Sequence, residues 1–329
     1  MEQPDENAPR GVLMVIGGAE DKLGRRTILS RFARLAGGPG ASVAVISTAS
    51  ALGDTATEVY RAVLGRIGIT DVRGLRPESR AEADDPACAA LLEDCSGIFM
   101  TGGNQNKLST IVAGTRLGAA IAQAYEAGAV VGGTSAGASV VTTLMVATGA
   151  EGSTPKERMV QLAAGLGLID GVVIDQHFSQ RNRYGRLLSI VAHSPSMLGV
   201  GVDEDTAMVV TEGRYVEVVG KGAVTIFDGS RMHTKAYVTK GTSPLLASNV
   251  VLHVLPAGER FDLATRTLMP DRRHPERDAD IATGMRLNRL LARKIAAEGA
   301  DDTVVERNAR RRRKKANPEH VERRRGDDT

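Results

Sequence analysis

The first half of the chain alternates short apolar runs with longer amphipathic stretches. The apolar runs have the length of buried strands, and they cover residues 11–18, 42–50, 97–103 and 128–135. The stretches between them, including 55–67 and 106–124, carry apolar residues at helical spacing. Continuous apolar strands that alternate with helices are typical of a parallel sheet covered on both faces. The pattern therefore predicts an α/β fold with a mainly parallel, doubly wound sheet.

The pattern changes after residue 195, where short apolar segments follow one another with close turns. This spacing predicts a mixed or antiparallel strand extension at the C-terminal end of the sheet. We find no linker rich in Pro, Gly or Ser that separates two domains. The sequence therefore predicts one α/β domain over residues 11–298, with a disordered N-terminus over 1–10 and a basic, disordered tail over 299–329.

Charge is distributed unevenly along the chain. Residues 305–325 hold ten Lys and Arg against three Glu, so the remainder of this chain of net charge +3 is mildly acidic. Clustered basic residues attract phosphates without sequence preference, so nucleic acid or another polyanion is a candidate partner of the tail alone. A solvated, disordered end is the alternative interpretation. The rest of the chain has few aromatic residues and no Trp, so it lacks the stacking side chains of a single-strand binder.

Several predicted strands end in turns of small and polar residues. These turns read GGAED, STAS, GGNQN and GGTSAG, and they begin at residues 17, 47, 102 and 132. In sheets of parallel strands, ligands bind beyond the carboxyl ends of the strands. We therefore expect these turns to meet at one edge of the sheet and to form one site.

The turn at 133–137, Gly-Thr-Ser-Ala-Gly, matches the nucleophile elbow, in which a serine follows a strand and precedes a helix. Glycines two positions before and after Ser135 leave room for the strand and the helix to cross closely. The Ser135 hydroxyl then stands at a helix N-terminus, where free N–H groups stabilise negative charge. The N–H of Ala136 is the natural oxyanion donor. A Gly- and Ala-rich turn with a capping serine is the alternative interpretation.

A nucleophilic serine needs a base, and His177 is the best placed of the six histidines. It follows the apolar run GVVIDQ, so it lies where a strand ends. Arg181, Arg183 and Arg186 come next, and arginines bind carboxylates through paired hydrogen bonds. This arrangement predicts a site for an anionic substrate, while a structural histidine and a solvated basic helix face are the alternatives.

The segment FMTGGNQNKL over 99–108 is the third candidate element of the site. Gly102 and Gly103 let the backbone approach a ligand closely, and Gln105 offers an amide. The segment lacks the Gly-Lys-Ser/Thr ending of a phosphate loop, and GGAED lacks the Gly-x-Gly-x-x-Gly pattern of a dinucleotide site. No Cys/His cluster has zinc spacing. We therefore expect neither a cofactor nor a metal.

Five segments together resemble the cyanophycinase family of serine exopeptidases. They occur in the family's order, and they read VIGGAEDK, FMTGGNQNKL, GGTSAGASV, DQHFSQRNRYGRLL and GVDEDTAMVV. The resemblance implies a flavodoxin-like or class I glutamine amidotransferase-like fold. It also implies a substrate, cyanophycin, which is a polyaspartate with arginine attached to each side-chain carboxyl. Enzymes of this family release β-Asp-Arg dipeptides from it.

By motif match, the resemblance implies Ser135 as the nucleophile and His177 as its base. The oxyanion would be held by the N–H of Ala136 and by a backbone N–H of the Gly102–Asn104 turn, for which we choose Gly103. The pocket would be lined by Gln105, Asp175, Gln176, Arg181, Arg183 and Arg186. Among these, the arginines would hold a carboxylate, and Asp175 would meet a guanidinium of the substrate.

The family also has a glutamate that orients the catalytic histidine, in the segment between the serine and the histidine. Ser153 stands at the matching position of this chain, and the nearby carboxylates are Glu151 and Glu157. We predict Glu151 for this role, with Glu157 as the alternative. Such a residue fixes the orientation of the imidazole and stabilises its cation.

Two other functions fit parts of the pattern. One is a peptidase for N-terminal aspartyl dipeptides, against which the three spaced arginines argue. The other is a binding protein on the same fold, which engages a polyanion through its basic tail. The two cysteines, the polar N-terminus and the lack of an apolar run of membrane-spanning length predict a cytoplasmic protein that contacts no membrane. The family resemblance suggests a homodimer.

Overall fold

The structure is a computed structural model, and it describes residues 11–270. Its strands are, in chain order, β1 (Val12–Ile16), β2 (Ser42–Ile46), β3 (Asp71–Leu75), β4 (Gly97–Met100), β5 (Val130–Thr134), β6 (Leu144–Gly149), β7 (Val160–Ala164), β8 (Val172–Gln176), β9 (Leu198–Val202), β10 (Thr206–Thr211), β11 (Tyr215–Gly220), β12 (Ala223–Asp228), β13 (His233–Thr234), β14 (Ala247–Ser248), β15 (Val251–Pro256), β16 (Arg260–Asp262) and β17 (Thr267–Leu268). The predictions for 1–10 and 299–329, and the end of the domain after residue 270, lie outside the described residues.

Helices connect the strands of the first half. They are α1 (Thr27–Leu35), α2 (Asp54–Ile67), α3 (Arg80–Ala83), α4 (Pro86–Ala90), α5 (Gln105–Val112), α6 (Arg116–Glu126), α7 (Ala136–Ser139) and α8 (Tyr184–His193), with short 3-10 turns at Gly38–Gly40 and Ala236–Val238. The helix predicted over 55–67 is α2. The helix predicted over 106–124 is divided into α5 and α6, because Gly114 between them has φ 72°, a left-handed conformation that interrupts a helix.

A nine-stranded sheet forms the centre of the fold. Its order is β17-β16-β11-β10-β1-β5-β4-β2-β3, and the five strands β1 to β5 run parallel to one another. Four of these strands are the four apolar runs of the sequence. The fifth, β3, lies at the edge, and its partly exposed residues gave no apolar run. The mainly parallel sheet is therefore confirmed, with β10, β11, β16 and β17 as its antiparallel extension.

A second sheet of four strands corrects the prediction that all later strands extend the first one. Its order is β15-β12-β9-β8, with β8 and β9 parallel and the other pairs antiparallel. Both β8 and β9 are fully buried. Because every residue of these strands is buried, their sequence shows no alternation of polar and apolar residues. The sequence therefore does not indicate which sheet each strand joins.

Apolar side chains cover both faces of the nine-stranded sheet. On one face, Phe32 of α1 and Leu64 of α2 pack with Phe99 of β4. On the other face, one core cluster joins the two sheets and includes Val131 of β5 and Ile174 of β8, both with no exposed surface. The sheet is therefore doubly wound, and a continuous core holds β5 and β8 in place relative to each other.

Two further properties of the described residues bear on the setting of the protein. The thiols of Cys88 and Cys95 are both free. In residues 11–270, no helix has the length and apolar character needed to cross a membrane.

Candidate active site

The turns at the carboxyl ends of β1, β5 and β8 are joined by backbone hydrogen bonds. The N–H of Ser135 donates to Ile16 at 3.0 Å, and the N–H of His177 donates to Gly17 at 2.8 Å. The N–H of Asp205, beyond the end of β9, donates to Gly18 at 2.9 Å. The turn after β1 therefore fixes the turns after β5, β8 and β9, and the expected shared edge is formed by strands of both sheets.

Ser135 stands on a sharp strand-to-helix turn with φ 53° and ψ −108°. A Cβ atom on Gly133 would lie 2.1 Å from the carbonyl oxygen of Gly137, and one on Gly137 would lie 2.3 Å from that of Met100. Neither position can hold a side chain, because such distances are far inside van der Waals contact. The elbow predicted from the glycine spacing is thus present, although α7 is a single turn of four residues.

His177 faces Ser135 across the two sheets. The distance from His177 Nε2 to Ser135 Oγ is 3.0 Å, within the range of a hydrogen bond. The serine is half-buried, and the His177 side chain is 11% exposed. Gly18 packs against the imidazole so closely that a Cβ atom on it would lie 2.2 Å from His177 Cε1. The imidazole is therefore held against the serine by a turn that has room only for glycine.

The carboxylate at the other side of the imidazole is Glu204. Its Oε1 lies 2.6 Å from His177 Nδ1. Because Nδ1 offers one in-plane hydrogen-bond position, this contact excludes a second carboxylate there. The structure thus corrects the expectation for Glu151, whose exposed side chain forms no hydrogen bond or ion pair with another described residue, and for Glu157, which pairs with His193 at 3.0 Å.

Parallel pairing brings Glu204 to this position. In the register of β8 and β9, Gln176 lies opposite Val202, so the residues that follow both strands leave the sheet side by side. The N–H of Glu204 donates to Gln180 Oε1 at 3.0 Å, which fixes the turn after β9. Glu204 belongs to the segment GVDEDTAMVV, which was recognised in the sequence, and its place just beyond an apolar run was the available signal.

Two opposing influences act on the His177 imidazole. Burial lowers the pKa of His177 below its ordinary value of 6.5, and the positive charges of Arg181 and Arg183 act in the same direction. The hydrogen bond and the negative charge of Glu204 oppose this change. Because the net effect is a lowered pKa, the imidazole is neutral at neutral pH and can accept a proton from Ser135.

Asp175 is completely buried and binds arginines of its own chain. Arg186 Nε lies 2.6 Å from Asp175 Oδ2, Arg186 Nη2 lies 2.5 Å from Asp175 Oδ1, and Arg183 Nη1 lies 3.3 Å from the same Oδ1. This pairing occupies both carboxylate oxygens. The expectation that Asp175 meets a guanidinium of the substrate is thus replaced, because the guanidinium groups that it meets are those of Arg183 and Arg186.

The three predicted arginines have different surroundings. Arg186 is buried on Asp175, while Arg181 is exposed. Arg183 is 6% exposed and donates from Nη1 to the Gln176 side-chain oxygen at 3.0 Å. That oxygen also lies 3.4 Å from Ser135 Oγ. Burial lowers the pKa of Arg183 to about 10, so the group stays charged at neutral pH directly behind the serine.

The turn after β4 also packs against Ser135. A Cβ atom on Gly102 would lie 3.3 Å from Ser135 Cβ. The N–H of Asn104 donates to Ala49 at 2.9 Å, so Gly102 and Gly103 supply the turn's remaining amides. The side-chain amide of Gln105 donates to the carbonyl groups of Val146 and Ala147 at 3.2 and 2.9 Å, which ties α5 to β6.

Over residues 11–270, no group of three or more His, Cys, Asp or Glu side chains is arranged to hold a metal ion. The site consists of a serine, a histidine and a carboxylate in contact, with a buried arginine network behind them. Chemically, this arrangement can generate an alkoxide nucleophile and return its proton to a leaving group.

The chain is similar to known peptidases over most of its length. The model of peptidase family S51 matches residues 13–218. Proteins named cyanophycinase from Geminocystis herdmanii and Trichormus variabilis are 41% and 39% identical, over 79% and 82% of this chain and 96% and 91% of their own lengths. A crystal structure of a peptidase from an acI-B1 Actinobacterium shares the fold, with a TM-score of 0.54, 22% identity, and coverage of 75% of this chain and 98% of its own. The chain is therefore a peptidase and belongs to peptidase family S51.

Proposed function

We propose that this protein hydrolyses cyanophycin as a serine exopeptidase and releases β-Asp-Arg dipeptides. The observation that carries the proposal is the contact of Ser135, His177 and Glu204 at 3.0 and 2.6 Å, directly in front of Arg183. The two cyanophycinases named above, and a third from Synechococcus elongatus that is 39% identical over 78% of this chain, support the choice of substrate.

In the acylation step, His177 Nε2 accepts the proton of the Ser135 hydroxyl while Oγ attacks a main-chain aspartyl carbonyl. Glu204 keeps the proton of the neutral imidazole on Nδ1 and stabilises the imidazolium that forms. The imidazolium then gives its proton to the departing amine as the peptide C–N bond breaks. The retained acyl group stays on Ser135 until His177 activates a water molecule that releases it.

The negative charge of the tetrahedral intermediate needs donors on the side of Ser135 away from His177. We assign this role to the backbone N–H of Ala136 together with a backbone N–H of the turn at Gly102 and Gly103. The close approach of Gly102 to Ser135 supports this assignment. Backbone donors in a fixed turn stabilise an oxyanion without rearrangement, which is their advantage in catalysis.

An exopeptidase must recognise a charge near the end of its substrate. Arg183 is held beside Ser135 by Gln176 and Asp175, while its Nε atom is buried without a hydrogen-bond partner among the described residues. We assign Arg183 and Gln176 to direct substrate binding, Arg181 to the exposed entrance, and Asp175 and Arg186 to the support of Arg183. Gln105 shapes the same pocket through its hold on β6.

The test is to incubate purified protein with insoluble cyanophycin and to detect soluble β-Asp-Arg by mass spectrometry. Ser135→Ala, which removes only the hydroxyl group of a half-buried side chain, serves as the folded control. Dipeptide from the wild type alone is the expected result. Wild-type-like release by Ser135→Ala would exclude this serine as the nucleophile, and cleavage of Asp-x dipeptides in preference to the polymer would indicate the aspartyl dipeptidase instead.

The setting and assembly of the protein are part of the same proposal. Free thiols at Cys88 and Cys95 are compatible with a reducing compartment, and we place the protein in the cytoplasm. We keep the homodimer as a prediction, which light scattering of the full chain checks. A nucleic-acid contact of residues 305–325 is checked by comparing binding of the full chain and of a chain that ends at residue 299.

A further inference from the structure

A cavity opens beside Ser135, on the side of the nine-stranded sheet. Its volume is about 240 Å³, and its lining includes Ser135, Glu20 and Lys22 together with the apolar groups of Leu52, Val59 and Tyr60. Gln176 and Arg183, which we assign to substrate binding, belong to the other sheet: Gln176 ends β8, and Arg183 lies in the turn that follows. Ser135 therefore borders a second subsite, which is this cavity. None of the substrate-binding roles proposed above involves it.

A buried carboxylate forms the floor of this cavity. The side chain of Glu20 is 1% exposed, and it accepts hydrogen bonds from Tyr60 Oη at 2.6 Å and from Thr134 Oγ1 at 2.6 Å. Burial, and then the charge of Glu20, raises the pKa of Tyr60, so its hydroxyl keeps the proton that it donates. Each of the two Glu20 carboxylate oxygens thus has a hydrogen-bond donor, as a buried charge requires.

The charge that the cavity presents to a ligand is the ammonium group of Lys22. Its Nζ lies 2.8 Å from Glu20 Oε1 and 5.2 Å from the centre of the Tyr60 ring. The Lys22 side chain is 29% exposed, in contrast to Glu20. The ammonium also donates to the backbone carbonyl of Glu20 at 3.4 Å. Because an ammonium has three N–H donors, one of them is left for a second anion. Glu20 and Tyr60 thus hold a cation at a fixed place beside the nucleophile.

We propose that this cavity binds one arginyl side group of the substrate, and that Lys22 recognises the free α-carboxylate of that group. The inference rests on the proposed function. In cyanophycin, the arginine is attached through its amine, so its α-carboxylate is free in every unit. The methylene stem of the arginine packs on Leu52 and Val59, and the volume of about 240 Å³ admits a single side group.

The test couples a change in the enzyme to a change in the substrate. Two soluble trimers of the β-Asp-Arg unit are compared, one with free arginyl α-carboxylates and one with primary amides at these positions. We expect Lys22→Met to lower kcat/KM about tenfold for the free form and less than twofold for the amide form, since a charge-assisted hydrogen bond is lost only with the first. Lys240→Met, an exposed lysine of the region after β13, should change neither value.

A second variant guards against damage to the fold, because Lys22→Met leaves Glu20 without its cation. Leu52 is 67% exposed at the rim of the cavity, so Leu52→Asp adds a negative charge without disturbing the core. We expect it to slow the free form and to spare the amide form. If each variant slowed cleavage of the free and amide forms equally, the inference would be overturned. Cleavage by the wild type would still uphold the proposed function in that case. If the wild type cleaves neither trimer nor the polymer, both fail.

Discussion

Glu204 Oε1 lies 2.6 Å from His177 Nδ1, although the two residues belong to turns after different strands and are 27 positions apart. The parallel pairing of β8 with β9 produces this contact. The same imidazole reaches Ser135 through its other nitrogen at 3.0 Å. One histidine thus connects a carboxylate from its own sheet with a serine from the neighbouring sheet.

Replacement of Glu204 tests its role as the orienting residue. Glu204→Gln keeps the size of the side chain but favours the wrong tautomer of His177, and we expect kcat to fall by about three to four powers of ten. The measurement is release of β-Asp-Arg at pH 7.

Glu151→Gln is the matched comparison for this substitution, because Glu151 is exposed and makes no contact with His177. We expect a change of less than about tenfold in kcat, since no proton transfer depends on Glu151. If Glu151→Gln lowered kcat more than Glu204→Gln does, Glu151 would be the orienting residue instead.

The pH profile reports the protonation of His177. Protonated His177 cannot accept the Ser135 proton, so kcat/KM falls as the pH drops through the pKa of His177. Because that pKa is lowered from 6.5, the midpoint of the fall lies below pH 6.5.

Removal of a neighbouring positive charge should move this midpoint in a known direction. Arg181 lowers the pKa of His177, so Arg181→Gln should shift the midpoint towards higher pH. High salt should diminish the difference between variant and wild type, because Arg181 is exposed and its charge is screened. Arg66→Gln, on the exposed surface of α2, should leave the profile in place. An unchanged profile for Arg181→Gln would contradict the electrostatic account.

Gly18 offers a test of the packing behind the imidazole. Gly18→Ala would place a methyl group 2.2 Å from His177 Cε1, so the ring must move and kcat should fall by about a hundredfold or more. Gly128 has φ 104°, almost the same as the 103° of Gly18, but a Cβ atom there would meet nothing within 4 Å. Gly128→Ala therefore shares the backbone strain without the clash, and it should keep its activity. Similar losses of activity in both variants would attribute the effect to strain alone.

The buried network of Asp175 should be the most costly to break. Asp175→Asn leaves Arg183 and Arg186 without their counter-charge, and we expect the free energy of unfolding to fall by about 3 to 5 kcal/mol. Asp71→Asn breaks a pair with Arg73 at the exposed edge strand β3, and it should cost less than about 1 kcal/mol. Urea unfolding of the two variants measures this difference, and equal costs would show that the buried network contributes no more than a surface pair.

The sequence predicted those parts of the site that depend on local geometry. The glycine spacing around Ser135 indicated a turn that only glycines allow, and the turn is present. His177 was found from its place at the end of an apolar run. Both signals lie within a few residues of the side chain that they concern.

The parts that the sequence did not predict depend on pairing between distant segments. Glu204 was assigned no role, because nothing in the sequence shows that β9 pairs with β8. Burial of Asp175 was consistent with its apolar neighbours, but which guanidinium it meets is decided by the turn that leads into α8. The split into two sheets was not predicted for the same reason.

That split has a consequence for how activity responds to partial loss of order. His177, which accepts the proton, and Ser135, which donates it, are anchored in separate sheets. The core cluster that includes Val131 and Ile174 packs between these sheets and holds them together. A slip of one layer against the other by an ångström would cost much of the rate while leaving the strands of each layer paired. Enzymatic turnover therefore responds to the relative position of the two sheets more sensitively than any measure of secondary structure. We expect activity to be lost before the secondary structure when packing in this core cluster loosens.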